Sequence, residues 1–166
     1  MQELIYLGLG SNLGDRKKVL RKCRELLGEY NFSLTACSSL YETPPWGQTD
    51  QPGFINQVVA GEYPGTPLEL LGVALDIERA CGRVRLEHWG PRTLDIDVLL
   101  FGERTIQSQR LTVPHPYLHE RGFVLVPLAE LAPDLRLPHR DQTVQTALDA
   151  LPESETEAIQ RLPDAV

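Results

Sequence analysis

The stretch "RTLDIDVLLFG" (residues 92–102) decides the fold, because it combines the pattern of a buried strand with two carboxylates. Leucine, isoleucine and valine dominate it, as they do in strands that pack inside a domain. Side chains alternate along a strand, so Asp95 and Asp97 are predicted to project from the same face. The opposite face then carries the apolar side chains that pack against helices, namely Leu94, Ile96, Val98 and Leu100.

The two aspartates are candidate metal ligands. Their Cα atoms are about 6.6 Å apart in an ideal strand, so the flexible carboxylates can converge on one cation or on two cations about 4 Å apart. Mg²⁺ favours oxygen ligands and is commonly shared between one or two carboxylates and substrate phosphates. The alternative is a solvated sheet face on which the two acids have no specific role.

Arginines flank this strand in the sequence. Seven arginines and five acidic residues lie between positions 79 and 121, whereas the whole chain has a formal net charge of −7. Guanidinium groups match phosphate oxygens in bidentate pairs, so we expect a site for a metal-bound polyphosphate. For each cation taken alone, a position on the solvated surface is the alternative. The candidates are Arg83, Arg85, Arg92, Arg110, His115 and Arg121.

A flat heterocycle is the second ligand that the sequence suggests. Trp46, Phe54 and Trp89 could each offer a planar face, although aromatic residues are more often part of a core. Asn56 lies two residues after Phe54 and shares its face of the predicted strand. An amide there can read the donors and acceptors at the edge of a ring, and a purely structural asparagine is the alternative.

The predicted elements follow the order β-α-β-β-α-β. Strands are predicted at 4–10, 32–42, 54–63 and 93–101. One helix follows Asp15 and stops at Gly28, and a second starts with a capping box at Thr66 and ends at Gly82. We expect an α+β, ferredoxin-like antiparallel sheet with helices on one face and long active-site loops (43–53 and 82–92) on the other. Short helices are expected beyond Pro114.

Composition limits the class of protein. A chain of 166 residues is expected to form a single domain over 1–166. The acidic balance argues against nucleic acid as a partner. No run of about 18 apolar residues and no secretory signal is visible, so we expect no membrane span. The cysteines are odd in number and lack a CxxC pair, which favours reduced thiols and a cytoplasmic location. Without an apparent apolar surface stripe, a monomer is expected.

Several motifs together resemble the 6-hydroxymethyl-7,8-dihydropterin pyrophosphokinase family of folate biosynthesis. They are "GLGSNLGDR", "ETPPWG", "DQPGFIN", "GRVR", "WGPRTLDIDVLLFG", "LTVPHP" and "RGFVLVPLAELAP", in the family's order. The resemblance implies a ferredoxin-like fold and transfer of diphosphate from ATP to the pterin hydroxymethyl group, with release of AMP. It also implies two Mg²⁺ ions on Asp95 and Asp97, and small molecules as the only partners.

The resemblance assigns roles to particular positions. Arg83 and Arg92 join Asp95 and Asp97 as catalytic residues. The implied pterin pocket consists of Thr43, Pro44, Trp46, Phe54, Asn56 and Phe123. The implied ATP site consists of Glu78, Arg83, Arg85, Trp89, Arg92, Arg110, Thr112, His115 and Arg121.

Two other functions are compatible with the same residues. A two-metal phosphohydrolase on this fold would use the aspartates to activate water. A non-catalytic small-molecule sensor would need no metal carboxylates at all. Product analysis separates the two enzymes, because only a pyrophosphokinase releases AMP in a pterin-dependent manner, and calorimetry that shows Mg²⁺-independent ligand binding without turnover would favour the sensor.

Overall fold

The structure is a computed structural model that describes residues 3–12, 14–43, 53–82, 94–138 and 140–163. The elements in chain order are β1 (Ile5–Ser11), α1 (Arg16–Glu29), β2 (Ser33–Cys37), β3 (Tyr41–Thr43), β4 (Phe54–Glu62), α2 (Pro67–Ala80), β5 (Asp95–Phe101), β6 (Ile106–Gln107), β7 (Thr112–Val113), a 3-10 helix (Leu118–Glu120), α3 (Gly122–Leu131), α4 (Val144–Asp149), α5 (Glu153–Thr156) and β8 (Gln160–Arg161). Among the helices of these described parts, none is long and apolar enough to cross a membrane.

The main sheet is antiparallel throughout. Its strands follow the order β5-β1-β4-β3-β8, and β2 pairs with β4 as well. β6 and β7 form a separate hairpin. Gly10 on the central strand β1 lies opposite Asp95 on one side and Asn56 on the other. The register therefore places a carboxylate and an amide in one row across three strands.

Helices α1 and α2 cover the first face of the sheet. Ile5, Leu7 and Leu9 of β1 pack there with Leu20 of α1 and Ile77 of α2, all of them almost fully buried. The capping box at the start of α2 is confirmed, because Thr66 N–H donates to Glu69 Oε1 at 2.8 Å and Glu69 N–H donates to Thr66 Oγ1 at 3.2 Å.

The second face also carries helices, so the prediction of helices on one face only is wrong, and most of the predicted loops 43–53 and 82–92 lie outside the described residues. Helices α3 and α4 pack over one end of this face, where Tyr6, Val58 and Leu99 form a second core cluster with Leu125 and Leu128. α3 is apolar apart from Glu130 and contains Pro127, so it lacks the one-sided periodicity that reveals a surface helix. Short helices after Pro114 were predicted, and their role as a second layer was not.

A β-bulge changes the direction of one predicted core residue. Val98 pairs with Leu7 and Leu100 pairs with Tyr6, so β5 has one extra residue at this point. Leu100 consequently lies on the second face with Leu99, and not on the face of Ile96 and Val98 as alternation predicts.

Two predicted boundaries also differ. Residues 32–42 form two strands, β2 and β3, rather than one, with Ser38 between them. The Ser38 hydroxyl accepts a hydrogen bond from Val58 N–H at 3.0 Å, which takes the chain out of regular pairing. Helix α1 runs past Gly28, and the chain reverses at Asn31, whose φ is 72°. Asparagine tolerates this left-handed conformation, so it replaces glycine as the helix stop.

Candidate active site

A cleft of about 610 Å³ opens at the end of the second face that helices α3 and α4 do not cover. Gly8 and Gly10 of β1 and the two aspartates of β5 line its floor. Thr43, Phe54 and Asn56 line one wall, and Tyr117, Arg121 and Phe123 line the other. The cleft is of a size that holds a small organic ligand.

The two carboxylates project side by side into the cleft, as the sequence predicted. Asp97 lies opposite Gly8 and Asp95 lies opposite Gly10 in the β1–β5 register. Because glycines face them, no side chain of β1 covers either carboxylate. The described residues contain no cluster of three or more histidine, cysteine or acidic side chains. A cation bound by this pair would therefore complete its shell with water or with oxygen atoms of a substrate, as Mg²⁺ usually does.

A buried glutamate fixes the backbone between the two aspartates. Glu78 of α2 is only 4% exposed, and its Oε2 accepts a hydrogen bond from Ile96 N–H at 2.8 Å. This contact ties the strand that carries both carboxylates to the helix layer behind it. Glu78 is not among the described residues that line the cleft. The structure thus gives Glu78 a support role, and its predicted contact with ATP stays a prediction.

The amide of Asn56 is held in one orientation. Its Nδ2 donates to Thr43 Oγ1 at 3.0 Å, and both side chains are more than nine-tenths buried. A Cβ atom at Gly10 would lie 3.0 Å from Asn56 Oδ1, so the glycine leaves room for the amide. With Phe54 next to it on the same strand face, this wall presents a fixed amide beside an aromatic ring, as expected for the edge and face of a heterocycle.

His115 lies beside β5 with a defined proton position. Its backbone N–H donates to Leu99 O at 3.0 Å, and its Nδ1 accepts from Tyr117 N–H at 3.3 Å. Burial, reinforced by the nearby positive charge of Arg121 and opposed by Asp95, lowers the pKa of His115 to about 4. The ring is therefore neutral at pH 7 and carries its proton on Nε2, which makes Nε2–H a hydrogen-bond donor.

Arg121 is held between two aromatic rings. Its guanidinium carbon lies 5.3 Å from the ring centre of Tyr117 and 5.4 Å from that of Phe123. Cation–π contacts on both sides restrict the guanidinium to one region of the cleft wall. They also fix Phe123, the residue predicted to stack on the second face of the ring.

The remaining sequence predictions divide into two groups. Arg110 and Thr112 lie on the β6–β7 hairpin, which packs beside β5, and neither is among the described lining residues of the cleft. The predictions that fall outside the described residues are Pro44, Trp46, Arg83, Arg85, Trp89 and Arg92.

Sequence reasoning missed several lining residues. Gly8 and Gly10 lie in the predicted strand 4–10, and glycines there gave no indication that they form the floor of a site. Tyr117 and Glu155 carried no local signal. Glu155 reaches the cleft because α5 packs on the start of α3, where a Cβ atom on Gly122 would collide with Glu155 O.

Comparison with known proteins places the chain in a family. The family model for 7,8-dihydro-6-hydroxymethylpterin-pyrophosphokinase (HPPK) matches residues 6–133. The chain belongs to the HPPK family. A relative from Methylorubrum extorquens, a 2-amino-4-hydroxy-6-hydroxymethyldihydropteridine pyrophosphokinase, is 47% identical over 93% of this chain and 98% of its own length. The protein of the same name from Pseudomonas aeruginosa is 44% identical over 99% of this chain and 100% of its own length.

The HPPK fold is also recovered by comparison with solved structures. A crystal structure of HPPK-DHPS in complex with substrates superposes with a TM-score of 0.77 at 14% sequence identity. The match covers 97% of this chain and 46% of that one, so the chain spans about half the length of the solved protein. At this identity the likeness concerns the fold alone.

Proposed function

We propose that this chain catalyses the reaction of its family, the transfer of diphosphate from ATP to the hydroxymethyl group of 6-hydroxymethyl-7,8-dihydropterin, with release of AMP, in folate biosynthesis. Membership of the HPPK family supports the reaction. The observation that carries the assignment to this cleft is the row Asp95–Gly10–Asn56, in which a carboxylate and an oriented amide face one space across three strands. The order of the strands supports the ferredoxin-like assignment.

The cleft divides into a pterin side and a phosphate side. The pterin ring lies between Phe54 and Phe123, with its edge read by Asn56 and Thr43. Its hydroxymethyl group then points along β1 toward the carboxylates. The triphosphate lies over Asp95 and Asp97, where Arg121 and the Nε2–H of His115 can donate to phosphate oxygens. Arg83, Arg85, Arg92, Arg110, Thr112 and Trp89 remain predicted members of the ATP site, and Pro44 and Trp46 remain predicted members of the pterin pocket.

The donor set fits Mg²⁺, and Asp95 and Asp97 would hold it. Bound there, Mg²⁺ supplies charge neutralisation on the phosphates and lowers the pKa of a nearby hydroxyl group. The number of two ions is the one that the resemblance to the family implies. The cytoplasmic location, the monomeric state and the absence of nucleic acid as a partner stay predictions from the sequence.

Positioning accounts for most of the catalysis that these residues can provide. The hydroxyl oxygen of the pterin must lie in line with the bond that breaks between the α- and β-phosphates of ATP. Stacking and the Asn56 amide fix the acceptor, while Arg121 and His115 fix the donor. No described side chain of the cleft is needed as a strong base, because the attack on phosphorus depends chiefly on alignment and on charge neutralisation.

The test is product analysis on the wild type and on Asp97→Asn. We expect wild-type protein to form AMP only when the hydroxymethylpterin is present, and we expect the variant to lose about three orders of magnitude in kcat with its circular dichroism spectrum unchanged. Release of phosphate without pterin would favour the phosphohydrolase. Unchanged turnover in Asp97→Asn would remove the carboxylate pair from the mechanism.

A further inference from the structure

Arg16 is the conspicuous residue of the "GLGSNLGDR" motif that the reaction does not use. It is the first residue of α1, and its Nη1 donates two hydrogen bonds. One goes to Glu42 Oε2 at 2.6 Å and the other to the backbone oxygen of Gly53 at 2.8 Å. One guanidinium nitrogen therefore joins the end of β3 to the start of β4.

The two residues that Arg16 contacts are the direct neighbours of two cleft residues. Glu42 precedes Thr43, and Gly53 precedes Phe54. Thr43 and Phe54 face each other as the last register pair between β3 and β4. The strands approach so closely there that a Cβ atom on Gly53 would collide with the Thr43 carbonyl oxygen. A small change in the spacing between these strands therefore moves both cleft residues.

Within the described residues, this strand end is held by β4 on one side and by the two-residue strand β8 on the other. β3 is only three residues long, so few ladder hydrogen bonds hold its final pair, and Thr43 lies beyond the two residues that pair with β8. Glu42 points to the opposite side of the strand from Thr43, because side chains alternate. Arg16 accordingly acts from behind the sheet, and it is not among the described residues that line the cleft.

The effect of Arg16 reaches the ligand through one further bond. Thr43 Oγ1 accepts the hydrogen bond that orients the Asn56 amide. If Thr43 shifts, the amide loses the contact that fixes its direction, and Phe54 shifts with the start of β4. We propose that Arg16 is a positioning residue for pterin recognition, which sets the spacing of Thr43 and Phe54 without touching either substrate. This inference rests on the proposed placement of the pterin beside Asn56.

The global stability of the protein should depend little on the same contacts. The Arg16 and Glu42 side chains are 26% and 36% exposed, and partly exposed ion pairs contribute little to folding. A merely structural role would lower stability and would affect both substrates alike. A positioning role predicts a selective loss of pterin recognition.

The experiment compares steady-state kinetics for Arg16→Gln, Arg16→Lys and Asn56→Ala, with each substrate varied in turn. We expect Arg16→Gln to raise KM for the hydroxymethylpterin about tenfold, to leave KM for ATP and kcat within about twofold, and to leave the thermal midpoint nearly unchanged. Lysine keeps a cation with several N–H donors, so Arg16→Lys should recover most of the loss. Arg104→Gln is the matched control, because it removes an arginine–glutamate pair with Glu3, also 2.6 Å long, on another part of the surface.

The outcomes separate this inference from the proposed function. If Asn56→Ala raises the pterin KM but Arg16→Gln does not, the positioning role is wrong and the pterin site stands. If Arg16→Gln raises both KM values together, or lowers the thermal midpoint as its main effect, Arg16 is merely structural and the inference also fails. If neither variant changes the pterin KM, the pterin does not bind beside Asn56, and the positioning role falls together with that placement, whereas the proposed reaction stands.

Discussion

Removal of the Glu78 carboxylate should loosen the strand that carries both catalytic aspartates. Glu78 is buried, and its Oε2 is the acceptor for the backbone N–H of Ile96, the residue between Asp95 and Asp97. In Glu78→Ala this N–H loses its partner in a part of the protein from which water is largely excluded. The outer edge of β5 then has less to hold it against α2.

The magnitude follows from the loss of an acceptor in a buried position. A buried donor left without a partner costs about 1–3 kcal/mol. Allowing for the lost packing of the side chain, we expect Glu78→Ala to lower the free energy of unfolding by about 3 kcal/mol. For a chain of this size that corresponds to a fall in thermal midpoint of roughly 6–12 °C.

Urea denaturation measures the loss of stability, and steady-state kinetics measure the loss of turnover. Glu78→Gln is the matched control, because its side-chain oxygen can still accept from Ile96 N–H. We expect Gln to retain most of the stability and most of kcat, and Ala to lose at least tenfold in kcat. Equal stability of the Ala and Gln variants would contradict the support role. A rise in KM for ATP in Glu78→Gln, at unchanged stability, would instead favour a direct contact with the nucleotide.

Two further predictions concern the glycine floor and the neutral histidine. Gly10→Ala places a Cβ atom 3.0 Å from Asn56 Oδ1, so we expect about a fivefold higher pterin KM at unchanged KM for ATP. Gly28→Ala is the control, because its added Cβ meets nothing within 4 Å. Equal pterin KM values in the two variants would show that the floor of the cleft accommodates the added methyl group. The pKa of His115 is lowered to about 4 in the folded protein, whereas an unperturbed histidine has a pKa of about 6.5. Between these two pH values the unfolded chain binds a proton on this ring and the folded protein does not. The free energy of unfolding therefore decreases as pH falls from about 6.5 to 4, by about 2 kcal/mol for a partly exposed ring. Urea denaturation at pH 7 and pH 4.5 should show a smaller decrease for His115→Gln than for the wild type. An identical pH dependence in wild type and His115→Gln would refute the assignment.

The sequence predicts the elements whose signals are local. The capping box at Thr66 and the glycine after Cys81 delimit α2, and Gly82 does adopt a positive φ of 83°. The alternation in β5 predicts the shared face of Asp95 and Asp97, since strand geometry fixes it without reference to the rest of the fold. These parts of the site needed no knowledge of the tertiary structure.

The elements that the sequence does not predict depend on contacts between distant segments. β8 consists of two exposed polar residues that become a strand because they pair with Tyr41 and Glu42. Leu100 changes face because of an extra residue in β5, which hydrophobicity alone cannot reveal. Glu130 joins α3 to the sheet by accepting from Tyr41 Oη at 2.6 Å, a contact between residues far apart in the chain.

The second face of the sheet changes from buried core to open cleft within a few residues of β1, as the strand register shows. Tyr6 lies between Ala60 and Leu100, and this apolar row is buried under α3 and α4.

Two positions further along β1, Gly8 lies between Val58 and Asp97, and after two more, Gly10 lies between Asn56 and Asp95. At both steps the central strand has no side chain and β5 carries a carboxylate, and at the second step β4 carries a polar amide as well. Since a polar group buried under a helix without partners would cost several kcal/mol, the helix cover must end where the carboxylates begin. The stretch that looked anomalous as a buried strand is therefore consistent along its whole length. Its apolar end forms the core beneath α3, and its acidic end forms the floor of the cleft.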